Sequence, residues 1–158
     1  MKTETPEQIF FKYAFPAAKV KACVRIGENK VNELEDLLVK GEAPSRDELN
    51  DLFPKAVERL KETAQKRRLQ VWEVDNIRFY WLVEHEKYVD HSCKIFLADF
   101  LEKNSFDGKV YEIKAKLNDK ETVLKSYKLF DKNDKVSCHL GYAVEKLSSE
   151  QIKKYFGK

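Results

Sequence analysis

The feature that most constrains this chain is a change in the spacing of its apolar residues near position 92. Before it, apolar side chains recur every three to four positions, the period of a helix packed on one face. After it they recur at every second position, the period of a half-buried strand. Helices and strands kept apart in this way point to an α+β architecture.

The helical part opens at Thr5-Pro6-Glu7-Gln8, where Thr5 can cap, Pro6 suits the first turn and Gln8 can complete a capping box. Ile9, Tyr13, Ala17, Val20 and Val24 follow at helical spacing; Pro16 is expected to kink or divide the segment, and Gly27 to end it. Phe10, Phe11, Tyr13 and Phe15 are expected to anchor this helix to the core, with a partner-binding aromatic patch as the alternative. Val31, Leu34, Leu37 and Leu38 stripe a second helix over about 29–40. Ser45 and Glu48 form a second capping box, opening a third that carries Leu49 to Ala64, bends or restarts at Pro54 and closes at Lys66-Arg67-Arg68. A fourth, from about Asp75 to Val89, has Ile77, Trp81, His85 and Tyr88 on one side and Phe79 and Val83 on the other. It reads as a central helix, apolar nearly all round.

In the second part, Cys93, Ile95 and Leu97 alternate with Lys94, Phe96 and Ala98, a strand pattern with a short helix over 95–102 as its competitor. Asp107-Gly108 marks a hairpin tip and Asn118-Asp119-Lys120 another turn, with Tyr111, Ile113, Ala115 and Leu117 between them on one face. Val123 to Phe130 makes a further strand. Val136, Cys138, Leu140, Tyr142 and Val144 give the last strand one continuous apolar face. Ser148 and Gln151 box the start of a closing helix. The expected fold is an N-terminal bundle of three to four helices (about 5–91), then a three- to four-stranded antiparallel meander and a short C-terminal helix (about 92–158). With no linker near residue 92, the whole of 1–158 is expected to be a single domain.

Composition narrows the function classes. With 42% hydrophobic residues the chain can bury a core without staples, which argues against disorder. Charged residues reach 36%, rich in Lys and Glu beside a single Met, a balance common in heat-adapted proteins. A net charge of +3 gives no strong field for nucleic acid or anionic lipid. No apolar run is long enough to span a membrane, the N-terminus lacks the apolar stretch of a signal peptide, and three cysteines without motif spacing suit reduced thiols. A cytoplasmic protein is therefore expected.

No glycine-rich phosphate loop, dinucleotide fingerprint, nucleophile elbow or His-Glu-x-x-His motif is present. The leading expectation is therefore a non-enzymatic module that binds a protein partner or itself, with no cofactor. The alternative is a small zinc- or iron-binding protein using His91, Cys93 and His139, because soft ligands cluster in the stretches 85–93 and 138–139. The plainer account of that cluster is a core thiol at Cys138, which shares a face with Val136, and ordinary polar histidines. His139 points away from Cys138, on a face with Ser137, Gly141 and Ala143 whose small residues leave room for a ligand or a packed helix. His85 reads as a core imidazole beside Trp81 and Tyr88, and Cys23 as a core thiol. A second alternative is a nucleic-acid binder using Lys55, Arg59, Lys66, Arg67 and Arg68 with Trp72 as a stacking group. Interleaved Asp51, Glu58 and Glu62 favour a solvated helix end.

Overall fold

The computed structural model describes residues 3–21, 24–89 and 94–157. Among them are six α-helices and five strands, and the chain forms two compact units, Met1–Tyr88 and Val89–Lys158. No helix among the described residues is long and apolar enough to cross a membrane.

The first unit holds α1 (Pro6–Lys19), α2 (Glu28–Val39), α3 (Arg46–Leu52), α4 (Pro54–Arg67) and α5 (Val74–Phe79). Local chemistry sets their starts. Thr5 and Gln8 make the expected capping box, the Ser45 hydroxyl accepts from the Glu48 N–H, and Pro54 takes the first position of α4 after Phe53 ends α3. Pro54 thus divides two helices instead of bending one. Pro16 does not break α1, which continues to Lys19. Its missing N–H removes one bond, to the Lys12 carbonyl of the preceding turn, while the Pro16 carbonyl still accepts from the Val20 N–H at 2.9 Å.

The helix buried on most sides is α1: Ile9, Phe10, Phe11, Tyr13, Ala14, Phe15, Pro16 and Ala18 are all buried. It packs against α2, α3 and α5, and Lys19 bonds the buried Glu35 of α2 at 3.1 Å. Phe10 lies edge-on to Trp72 (5.3 Å) and Phe53 (6.4 Å), and Tyr13 stacks on Trp81 (5.9 Å), so these aromatics anchor the helix. The expected long fourth helix is α only over α5. It widens to a π turn at Tyr80–Glu84 and tightens to a 3₁₀ turn at His85–Lys87. These helix types differ by one residue in hydrogen-bond span, and a pattern read over three turns does not separate them.

In the second unit the expected meander is replaced by a closed barrel. Its strands are β1 (Phe96–Phe106), β2 (Tyr111–Leu117), β3 (Lys120–Ser126), β4 (Lys135–His139) and β5 (Tyr142–Lys146), in the ring order β1-β2-β3-β5-β4; α6 (Ser149–Phe156) follows. Phe96–Phe106 is strand, so the competing helix over 95–102 does not form. β1 makes closure possible. Its first residues pair with β4 (Phe96 with Cys138, Asp99 with Lys135) and its remainder with β2 (Asp99 with Lys116, Phe106 with Tyr111). Two register shifts, at Phe100/Glu102 and Lys103/Ser105, bend it around the barrel. A parallel β3–β5 contact, Lys125 with Tyr142 and Ser126 with Ala143, closes the ring.

The interior alternates small with large across neighbouring strands: Ala98 faces Val136, Ala115 faces Phe100, and Ala143 faces Cys138. All six are buried, with Ile113 and Leu124, in one core. The single last strand expected over 136–144 is two strands. Leu140 (φ +53°) and Gly141 (φ +84°) form a two-residue turn between them, which places Gly141 in the turn and Ala143 inside with Cys138. A side chain at Gly141 meets nothing within 4 Å, so its penalty is conformational alone. Gly141→Ala is expected to lower stability by about 1 kcal/mol, measured as a shift of the urea midpoint at unchanged m-value.

Candidate functional site

The first place in the barrel where side chains offer more than packing is the rim at the β1–β2 turn. Phe106 and Tyr111 face each other across the hairpin, stacked at 4.3 Å and 29°. Tyr111 leans on the core, whereas Phe106 is 49% exposed. The turn between them is tied by Asp107, whose Oδ1 accepts from the Lys109 and Val110 N–H groups, each at 2.9 Å. Those bonds, from Val110 and then Lys109, hold the carboxyl below its ordinary range.

Across β2, Tyr111 pairs with Ser126, which donates to the Lys128 carbonyl (2.5 Å) and accepts from the Lys128 N–H (3.2 Å). Beyond it, Phe130 packs against Phe100 of β1 at 6.1 Å with the Lys128 ammonium 5.7 Å over its ring, and Leu129 is 41% exposed. The register thus aligns Phe106, Tyr111 and Ser126 across three strands. The acidic groups nearby are engaged: Asp107 by backbone, and Glu112 by the Asn104 amide at 2.5 Å. Fourteen lysines, eleven acidic residues and no arginine fall in 89–158, so the chain's net charge of +3 resides in this unit.

The second place is the outer wall. The register aligns Glu112, Lys125, Tyr142 and His139 across four strands. Tyr127 stacks on Tyr142 at 5.7 Å and 6°, and Ser137 donates to the Glu145 carbonyl at 3.4 Å. His139, Ser137 and Glu145 are buried although they lie outside the barrel core. Cys138 faces inward, and burial pushes its thiol up to about 12, which makes it inert at neutral pH. Of the three expected metal ligands, His139 is placed here; His91 and Cys93 lie outside the described residues, as does Cys23. Among the described residues, no group of three or more His, Cys, Asp or Glu could hold a metal ion. A cleft of about 450 Å³ lies between α6, the Asn118–Asp119 turn and the Asp99–Lys135 ion pair (2.5 Å). It carries both signs of charge.

In the helical unit, most of the expected basic helix is turned to internal use. Glu84 is 3% exposed, and Lys87 (2.8 Å), Arg67 (3.1 Å) and Lys66 (3.4 Å) bond its carboxylate. Arg67 also covers the Phe79 ring at 4.5 Å, and Arg59 covers Tyr88 at 4.4 Å. Arg68 caps α4 in a left-handed conformation, and Lys55 is exposed. Trp72 packs on Phe10 with Arg46 over its ring at 5.6 Å. His85 is buried against Trp81 (4.9 Å) and Tyr80 (5.8 Å). Burial raises the Tyr80 phenol to about 12 against the pull of Arg59.

Sequence reasoning missed two of these features. Glu84 interrupts the apolar run Tyr80–Val83, and a lone charge at a core position is the signal that marked it. Phe106 and Tyr111 flank the Asp107–Val110 turn symmetrically, so an aromatic cross-strand pair was readable once the turn was placed.

Neither a family model, nor a curated protein, nor a solved structure matches this chain.

Burial pushes the Glu84 carboxyl upward, but the bonds from Lys87 and Arg67 and the charge of Lys66 outweigh it, so its affinity for a proton is lowered. A carboxylate that binds its proton less tightly when folded stabilises the fold above its ordinary range, and loses that contribution as pH falls through its depressed value. Glu84→Gln is therefore expected to unfold at lower denaturant than wild type at pH 7, with the gap closing below about pH 4. Paired urea titrations at pH 7 and pH 3.5 measure it.

Proposed function

We propose that the chain is a non-catalytic binding module for a protein partner, with the barrel rim at the β1–β2 turn as its working surface. The observation that carries this reading is the stacked Phe106–Tyr111 pair. Tyr111 fixes a large apolar ring in place while leaving half of it to water. A ring already ordered loses little conformational freedom on binding, which is what an interface anchor requires. Lys109, exposed in the same turn, gives the ring a polar margin. The protein purified under native conditions from its own cells should carry a stoichiometric polypeptide that Phe106→Ala does not retain. Equal retention by the variant removes the rim from the interface.

A second reading rests on a different observation. Phe96 pairs with Cys138, so the chain enters β1 from the end of β4 where the buried His139 lies. Cys93 and His91 precede Phe96 by three and five positions, at most ~3.8 Å of chain per residue. We propose on this ground that His91, Cys93 and His139 supply imidazole and thiolate ligands for zinc or iron. Titration with zinc against a competing chelator should give one equivalent in wild type and a loss of ten- to a hundredfold in affinity in His139→Ala. Unchanged affinity in the variant would overturn the reading.

A further inference from the structure

We propose that the chain self-associates through the open edge of β3, which pairs antiparallel with the same edge of a second copy. The ring closes on β3 through its last two residues only, Lys125 with Tyr142 and Ser126 with Ala143. Among the described residues, no strand runs along Lys120–Leu124 on the side away from β2. The Lys125 N–H donates to the Gly141 carbonyl at 2.9 Å, so it points away from β2. β3 pairs with β2 without a register shift, so backbone direction alternates regularly along it, and the N–H and C=O groups of Glu121 and Val123 point to the same open side. Leu124 lies in the barrel core, which puts Val123 on the outer face, where it is 55% exposed. This edge lies away from the rim, which meets β3 at Ser126.

Neighbouring edges of the barrel are guarded and this one is regular. β1 beyond Phe100 carries both register shifts, which twist its free side away from a flat partner. The free part of β5 is short, and Val144 and Glu145 within it are buried. The β3 edge carries charges of both signs, Lys120, Glu121 and Lys125, and that mixture selects a second copy. A two-fold axis at Thr122 sets Glu121 of each copy opposite Val123 of the other, where each pair exchanges both of its backbone bonds. Thr122 meets its own counterpart on the axis, and Lys125 lies diagonal to Glu121 across the interface. Pairing ends at Leu124, where β5 takes over, and the chain of the other copy leaves there through its Asn118–Asp119 turn. A foreign strand of one charge sign sets like charge against either Glu121 or the lysines.

The test is sedimentation equilibrium of the full chain from about 10 µM to about 1 mM, where so small a paired area should give a reversible dimer with a dissociation constant on the order of 100 µM. Val123→Pro deletes an N–H that β2 does not use, so the barrel should fold and the dimer be lost. Val123→Lys keeps that N–H and should weaken association by about tenfold or more, since it sets like charges diagonally across the axis. Val39→Ala, at an exposed position in the helical unit, should leave association unchanged, and circular dichroism confirms that each variant is folded. Thr122→Cys reports the register. Copper–phenanthroline should join two copies through it above the wild-type background, and should join Val123→Cys less, because Val123 lies opposite Glu121 and not opposite itself. A strict monomer throughout, a dimer that survives both Val123 substitutions, or equal cross-linking at the two positions would each overturn the inference. A strict monomer that instead carries a polypeptide lost in Val123→Pro would assign the edge to a foreign strand and overturn the second copy as its occupant.

Discussion

Everything in the second unit depends on one strand serving two neighbours. β1 pairs with β4 through its first residues and with β2 through the rest, and the two register shifts after Phe100 supply the bend that this requires. The interior accepts the curvature because each inward alanine sits beside a larger residue on the neighbouring strand. Closure also fixes the outside. The shear of the ring brings the β3–β5 contact to Lys125 and Ser126, and so sets Tyr142 and His139 in the row that begins at Glu112. The rim is the same geometry seen one register step away, where Phe106, Tyr111 and Ser126 align.

What the sequence discloses about this fold is local. The boxes at Thr5–Gln8 and Ser148–Gln151 form as read, because a side chain reaching three residues along its own chain needs no tertiary partner. The turn at Asn118–Asp119 also forms as read, since both residues tolerate the positive φ that a two-residue hairpin demands. The turn at Leu140–Gly141 was hidden because leucine rarely adopts φ +53°, and its apolar character continued an apparent strand. Barrel closure was hidden for a different reason. Alternation states which face of a strand is buried and nothing about which strand lies beside it, so β1–β4 and β3–β5 leave no periodic trace. The segment expected as a central helix is buried at Ile77, Tyr80, Trp81, Leu82, Glu84 and His85, and α1 is enclosed beside it by the aromatics expected to anchor it.

The candidate sites follow the same division. Cys138 and His139 were separable from alternation alone, one inward and one outward, and the structure places them so. The burial of His139 was not readable, because an outward position on a strand is solvent-facing unless something tertiary covers it. The exposed Phe106 was unreadable from the opposite side, as aromatics in a strand pattern are counted toward the core by default.

Formal charge therefore misjudged where this chain presents cations. The run Lys66-Arg67-Arg68 is the densest in the sequence, and the Lys55–Arg68 helix looks like the basic surface. Yet a buried carboxylate is costly unless compensated, and Glu84 draws Lys66, Arg67 and Lys87 onto itself, while two helical segments end nearby with carbonyls that also favour positive charge. Arg59 is likewise spent on Tyr80 and Tyr88. In the barrel, too, lysines are drawn to carboxylates of their own unit, as in Lys114–Glu102, Lys135–Asp99 and Lys146–Asp134. A charge count measures composition, but a field at the surface measures what remains after each ion has satisfied its own fold.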